Sequence, residues 1–223
     1  MNSSPNPENA ESPTELASLV GAYPHGRVPR ELRRRQILAV ATEAFAERGF
    51  AGTSMDEIGR RVGVSKPVLY DLVGSKEQLF HEVVSVETSQ MAARVQAAVL
   101  AEPDPSTKMR AGSLAFFRFI QERPAWRALV ALSDGPVSTE LAAARRYHAR
   151  SVASLIAQGA AETGITLDDS SFDALAHAIN GLNEGLALWW NDHLEHTPEA
   201  LADLATALIG PGLEAFQKQL AEK

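Results

Sequence analysis

TSMDEIGRRVGVSKPVLYDLVGSKEQLF, residues 53–80, reads as two short helices joined by a tight turn, with a third helix opening behind them. Ser54 precedes the first, and its hydroxyl is placed to accept one of the orphan backbone N–H groups at the helix start. Glu57, three residues on, has the spacing to reach back and complete a capping box. Met55, Ile58 and Val62 share one face, and Gly63 is placed to close the helix in the left-handed conformation. Ser65 then caps the second helix. Pro67 falls in its first turn, where the N–H that proline lacks has no intrahelical acceptor to miss. Leu69 and Val73, four apart, form the buried side, which leaves Lys66, Pro67, Val68 and Tyr70 facing out as a reading head. Ser65 and Lys66 stand at a helix N-terminus, whose unpaired N–H groups and partial positive charge suit a phosphate or a base edge. Ser75 with Gln78 repeats the capping-box pattern and puts Lys76 in the first turn of the next helix.

Two short helices so spaced make a helix-turn-helix, in which the second helix enters the DNA major groove while the first crosses the backbone. The specific residues go further: GVSKPVLYDLVGSKEQLF, preceded by ILAVATEAFAERGFAGTSMDEIGRRV, resembles the DNA-binding domain of the TetR family of transcriptional repressors over Arg33 to Phe80, about a fifth of the chain. The chain departs from the family pattern at Leu72 and Val73, where that pattern often has a His or aromatic and a Phe, and at Asp71, an acid close to expected phosphates. The resemblance implies phosphate contacts from Thr53, Ser54 and Lys76. It also implies a homodimer built on the last two long helices of each subunit, and middle helices that enclose a small-molecule effector.

Charge distribution agrees with a nucleic-acid partner although the net charge is −7. Residues 1–26 carry three acids and no Lys or Arg; residues 27–76 carry ten basic and six acidic residues; residues 77–223 carry eleven basic and nineteen acidic. The positive excess is confined to the helix-turn-helix. The absence of cysteine excludes disulfides and thiolate metal sites. No run approaches the ~20 apolar residues of a membrane span, so no membrane partner is expected. MNSSPNPENAESP lacks the basic and apolar regions of a secretory signal, and a cytoplasmic location is expected.

In chain order, residues 1–28 are rich in Ser, Pro, Asn and Glu and are expected to form a flexible arm. Arg27 and Arg30 at its end either enter an adjacent minor groove or are simply solvated. Residues 29–76 form the DNA-binding domain. Its first helix, from about Pro29 to Arg48, carries an apolar stripe of Ile37, Ala41, Ala44 and Phe45, an exposed run Arg33, Arg34, Arg35, and a stop at Gly49. Residues 77–223 form a larger helical domain. A long helix from Lys76 to about Leu100 is stopped by EPDP at 102–105, and everything after Ser106 is helical by pattern, which makes the fold all-α.

Within that second domain Met109, Phe116, Phe117 and Ile120 share a face. Pro124 opens a short helix with Trp126, which DGP at 134–136 should end. His148 falls in the apolar stripe of the next helix, either as a core histidine satisfied by its neighbours or as a polar fixture in a ligand cavity. The helix from about Ser170 to His193 has three stripes: an apolar one (Phe172, Leu175, Ile179, Leu182, Leu186, Trp189), a small one (Ala174, Ala178, Gly181, Gly185) and a polar one (Asp173, His177, Asn180, Glu184). Two glycines on one line suggest the close approach of another helix. Thr197 and Pro198 open a last helix, which GPG at 210–212 should kink or break.

Catalysis finds little footing. Glu-x-x-His is absent before every histidine, HEVV at 81–84 has Ser85 where a zinc protease needs a second His, and no phosphate-binding Gly loop or nucleophile elbow occurs. His193 and His196 with Asp192 and Glu195 read as a polar cluster at a helix end. The expectation is therefore a non-enzymatic regulator without cofactor. It binds a double-stranded, pseudo-palindromic operator through Lys66 and Tyr70, and is released by a small, largely apolar effector held among Phe116, Phe117, Trp126, His148 and His177. The alternatives are a DNA-binding protein that no ligand controls and, further off, a helical-bundle enzyme or metal protein.

Overall fold

The structure is a computed structural model that describes residues 13–23, 28–131, 136–162 and 167–221. Among the described residues it is all-α, with helices α1 (Pro13–Gly21), α2 (Arg30–Gly52), α3 (Met55–Val62), α4 (Lys66–Val73), α5 (Lys76–Ala101), α6 (Pro105–Glu122), α7 (Pro124–Ala131), α8 (Pro136–Glu162), α9 (Asp169–Trp190) and α10 (Pro198–Ala221). The described residues fall into two compact units that divide within α5 at Val86/Glu87, with Ala128–Glu140 grouped with the first.

The first unit is built from the capping signals. Ser54 accepts from the Glu57 backbone N–H at 3.2 Å, and Gly63 ends α3 at φ 76°. The Glu57 carboxylate does not complete the box; it pairs with Arg48 at 3.1 Å and Arg61 at 2.6 Å, because two guanidiniums offer a 7%-exposed carboxylate more than one backbone N–H can. Ser65 holds the N-cap position of α4 with extended backbone, yet its hydroxyl makes no capping bond. Ser75 and Gln78 make both bonds of their box, at 3.2 and 2.8 Å. Gly74 is required there: it sits at φ 70°, and a Cβ would lie 2.1 Å from the Gln78 side-chain oxygen. Ile37, Ala41, Ala44, Phe45, Ile58 and Leu69 are buried beneath, and Phe45, Phe50 and Phe80 meet with ring centroids 5.1 to 5.9 Å apart.

Within the expected arm Pro13–Gly21 form α1, while residues 1–12 and 24–27 lie outside the described residues. Leu16 is 2% exposed and packs on Leu32, with Leu19, Val20, Val28 and Ala39 around them. Covering two leucines supplies roughly 1.5–3 kcal/mol per side chain, which offsets part of the ordering entropy of this nine-residue helix. Arg33 to Arg35 are not an exposed run either: all three are half-buried. The break at Gly49 is present, at φ 69°.

In the second unit α6 packs along α10 and against α9. Asp104 caps α6 through the Ser106 N–H, Asp168 caps α9 through Ser171, and Thr197 caps α10 through Ala200. α10 runs through Gly210, Pro211 and Gly212 as one helix rather than breaking. Pro211 is exposed, and one missing bond among many does not end a helix of this length. The expected stop at 134–136 lies partly outside the described residues.

Candidate functional site

The outer face of α4 is presented as the sequence suggests. Leu69, Leu72 and Val73 are buried, while Lys66 and Pro67 are exposed, Val68 is 46% exposed and Tyr70 42%. One aliphatic, one aromatic and one cationic side chain thus stand together at a helix N-terminus with Ser65. The Lys66 ammonium lies 2.9 Å from Asp56 of α3, whose hydrogen bond and charge raise the lysine pKa. Ser54 is also exposed.

Three arginines of α2 donate to backbone carbonyls of α3 and α4. Arg33 donates to the Val62 carbonyl at 3.3 Å, Arg34 to the Leu72 carbonyl at 3.0 Å, and Arg30 to the Asp71 carbonyl at 2.8 Å. Those are last-turn carbonyls of α3 and α4, unpaired within their helices and at the negative ends of both dipoles. Arg34 also binds Glu82 at 2.6 Å, which ties α4 to α5. Sequence reasoning saw a basic run; its carbonyl partners lie some 30 to 40 residues away.

Arg30 belongs to α2, not to an arm, and its other guanidinium nitrogen pairs with the Asp71 carboxylate at 2.7 Å. The acid that threatened the DNA face is thereby neutralised. Removing its partner exposes that charge: Arg30→Ala should weaken DNA binding about fivefold on all sequences alike, and adding Asp71→Asn should restore most of the loss in a fluorescence-anisotropy titration. Arg27 lies outside the described residues.

At two expected phosphate contacts the side chains have partners within the chain. Thr53 is 2% exposed, and its hydroxyl lies 2.9 Å from both the Ala44 and Gly49 carbonyl oxygens, so this side chain closes the end of α2. Lys76 reaches across the turn, donating to the carbonyls of Phe50 at 2.7 Å and Thr53 at 2.8 Å over the face of the Phe50 ring. Two of its three N–H donors are thus committed to holding the α2–α3 corner.

In the second unit Phe116, Phe117 and His148 come together. The two phenylalanine rings meet at 5.2 Å, His148 lies 6.4 Å from Phe116, and Trp190 meets Phe117 at 6.2 Å. Trp126 is buried in the same unit. His177 does not join them: its side chain is 53% exposed, and its Nδ1 lies 2.9 Å from the Asp173 carbonyl one turn back. The buried line of α9 is Ala176, Asn180, Asn183, Ala187 and Trp190. Asn183 donates to the buried Ser113 hydroxyl of α6 at 3.2 Å. His148 Nδ1, Asn180 Nδ2 and Asn183 Oδ1 are buried with no hydrogen-bond partner among the described residues. Each such group costs about 1–3 kcal/mol where it stays unpaired. Asn183 and Trp190 were not singled out from sequence, although the spacing from Asn180 carries both.

The remaining polar candidates form no metal site. His81 of the HEVV stretch is exposed and pairs with Glu140 at 2.8 Å. His193 stacks on Trp189 at 4.0 Å, and no group of three metal-ligating side chains occurs among the described residues. Among the same residues no helix is long and apolar enough to cross a membrane.

Residues 37–83 match the family model for the N-terminal domain of bacterial regulatory proteins of the tetR family. The likeness to the tetR family model covers that stretch, about a fifth of the chain. A relative from Mycolicibacterium smegmatis, the HTH-type transcriptional activator FasR, is 37% identical over 117 residues, 52% of this chain and 53% of that one. The chain spans about half the length of this and a second curated relative it matches. A TetR-like transcriptional regulator from a Rhodococcus species has a solved structure similar to this one, with a TM-score of 0.66 and 26% identity, over 84% of this chain and 99% of that one. The fold is also that of the transcriptional regulator FadR from Bacillus subtilis, solved in complex with stearoyl-CoA (TM-score 0.63, 15% identity, 78% of this chain and 95% of that one). These TetR relatives are regulators rather than enzymes.

Proposed function

We propose that the chain is a homodimeric, cytoplasmic transcription regulator that reads a pseudo-palindromic operator and is controlled by a small, largely apolar effector. The observation that carries this reading is the α4 face: Lys66, Pro67, Val68 and Tyr70 stand exposed together on a short helix whose C-terminal end is held from α2 by Arg34. Lys66 is the base or phosphate contact, Tyr70 the backbone contact, and Ser54 and Ser65 position the domain. Two copies of α4, one from each protomer, would meet half-sites about one helical turn apart.

Exposed apolar side chains on α9 and α10 support self-association: Leu188 and Trp189 are 45% and 40% exposed, Leu204 and Leu208 44% and 60%. Gly181 and Gly185 have nothing within 4 Å of where a Cβ would stand, so nothing in the described chain uses the close approach they permit; a second copy would. The effector occupies the second unit among Phe116, Phe117, Trp126 and His148, joined by Trp190. Its binding shifts the population toward a form whose reading helices no longer match the groove spacing.

Lys66→Ala tests the reading head. It should cost roughly 1–3 kcal/mol and relax preference at one base pair if Lys66 reads a guanine, or cost about equally on all sequences if it holds a phosphate. Unchanged affinity in both senses would remove α4 from the DNA contact. The sign of regulation separates two outcomes in an in vitro transcription assay: a repressor lowers transcription from the bound promoter until effector is added. The reverse, activation, is favoured by the name of the 37% identical relative.

A further inference from the structure

We infer that the effector carries an uncharged hydrogen-bonding group, such as an amide, an ester or a hydroxyl, that lodges against Asn180, Asn183 and His148. Its apolar part would lie along Phe116, Phe117 and Trp190. This rests on the effector site proposed above and adds the chemistry of its occupant.

The three polar side chains are 8%, 6% and 5% exposed, in a unit whose core is otherwise aromatic and aliphatic. They are linked through the packing of that unit. Asn180 and Asn183 are one turn apart on α9; Asn183 is bonded to Ser113; Ser113 is one turn from Phe116 on α6; and Phe116 lies beside His148 on α8. Each of the three still has a buried nitrogen or oxygen without a partner. A buried carboxamide that lacks a partner is a poor packing element, and three together in an apolar core mark a place for something that hydrogen-bonds.

What the group lacks is charge. Two carboxamides are neutral, and burial pulls the His148 pKa down to about 4, so the imidazole is neutral at physiological pH and presents one donor and one acceptor nitrogen. Nearby cations are already held. Arg123 pairs with Glu87, Arg94 with Glu122, Arg145 with Glu184, Arg118 with Glu199 and Arg110 with Asp203. A carboxylate or phosphate placed among Asn180, Asn183 and His148 would lose its hydration without gaining a counter-ion, whereas a neutral group meets donors and acceptors matched to its own. Arg127, over the Trp190 ring at 5.8 Å, is a cation to which an anionic head could turn.

The test is a tryptophan-fluorescence titration of the full chain at neutral pH with acid–amide pairs of equal chain: hexanoate and hexanamide, decanoate and decanamide, hexadecanoate and hexadecanamide. All three tryptophans, 126, 189 and 190, lie in the second unit. The amide of at least one pair should bind roughly tenfold or more tightly than its acid, and Asn180→Ala or Asn183→Ala should close that gap. An acid that binds as tightly as its amide overturns the proposal. Its loss in Arg127→Gln would then assign the head to the guanidinium and leave the effector site itself standing. Equal affinities that neither asparagine variant changes also overturn it, because water then fills the vacancies. If no compound of either series binds, the effector site falls together with the proposal.

Discussion

Acidification from pH 6.5 to pH 4 should remove about 3 kcal/mol of stability from the second unit through His148 alone. The ring is 5% exposed, its Nδ1 has no partner among the described residues, and burial lowers its pKa from 6.5 to about 4. In the unfolded chain the same imidazole titrates near 6.5. Between those values the unfolded state binds a proton that the folded state refuses, so stability rises with pH across the window and falls as the medium is acidified. The contribution is complete above the unfolded pKa and exhausted below the folded one. A shift of about 2.5 units at 1.36 kcal/mol each sets the upper size, roughly 3 kcal/mol. The measurement is a series of urea midpoints across the window, followed by tryptophan fluorescence, for the wild type and His148→Phe. Carboxylates such as Asp168 and Glu199, held below their usual pKa by hydrogen bonds from Ser171 and Arg118, lose their contribution at lower pH in both proteins and cancel in the difference. Parallel profiles for the two proteins would mean that His148 finds a partner or water in solution.

The helix-turn-helix was legible because its determinants are local. Ser54, Gly63, Pro67, and Ser75 with Gln78 each act within four residues of their own position, and the structure uses each where its spacing puts it. What the sequence did not reveal were side-chain partners distant along the chain. Glu57 left its capping box because Arg48 and Arg61 come within reach only after α2 and α3 have packed. Thr53 and Lys76 resemble phosphate contacts in sequence, yet the carbonyls they engage are those of a corner formed by the break at Gly49. The α1 helix was hidden for the same reason: Leu16 has no value until Leu32 stands opposite it.

The second unit shows the converse limit. Helical spacing located the stripes of α9 but not which of them faces inward. The apolar stripe is only half-buried, with Phe172, Leu175, Ile179, Leu182 and Leu186 all partly exposed, whereas Asn180 and Asn183 are inside. Hydrophobicity alone ranks those stripes the other way round. Two inward carboxamides one turn apart and a half-buried apolar line are what the proposed effector and the proposed second copy would each cover.

Phe117→Ala should be the most damaging single substitution in that unit, costing about 3–5 kcal/mol. The side chain is 0% exposed and makes edge-to-face contacts with Phe116 at 77° and Trp190 at 84°. Truncation removes the transfer energy of the ring and both aromatic pairs, and it leaves a cavity that neighbouring helices can fill only by moving. Chemical denaturation followed through the tryptophans reads the loss directly. The same variant separates packing from signalling. The first unit keeps its own caps and core, so at a temperature where the variant is folded its affinity for DNA without effector should stay near wild type. Its response to effector should not: a ligand seated against Phe117 loses one wall of its site, and the concentration needed to change DNA binding should move by roughly an order of magnitude. A variant that loses stability yet responds to effector like the wild type would leave Phe117 in the core and place the ligand elsewhere.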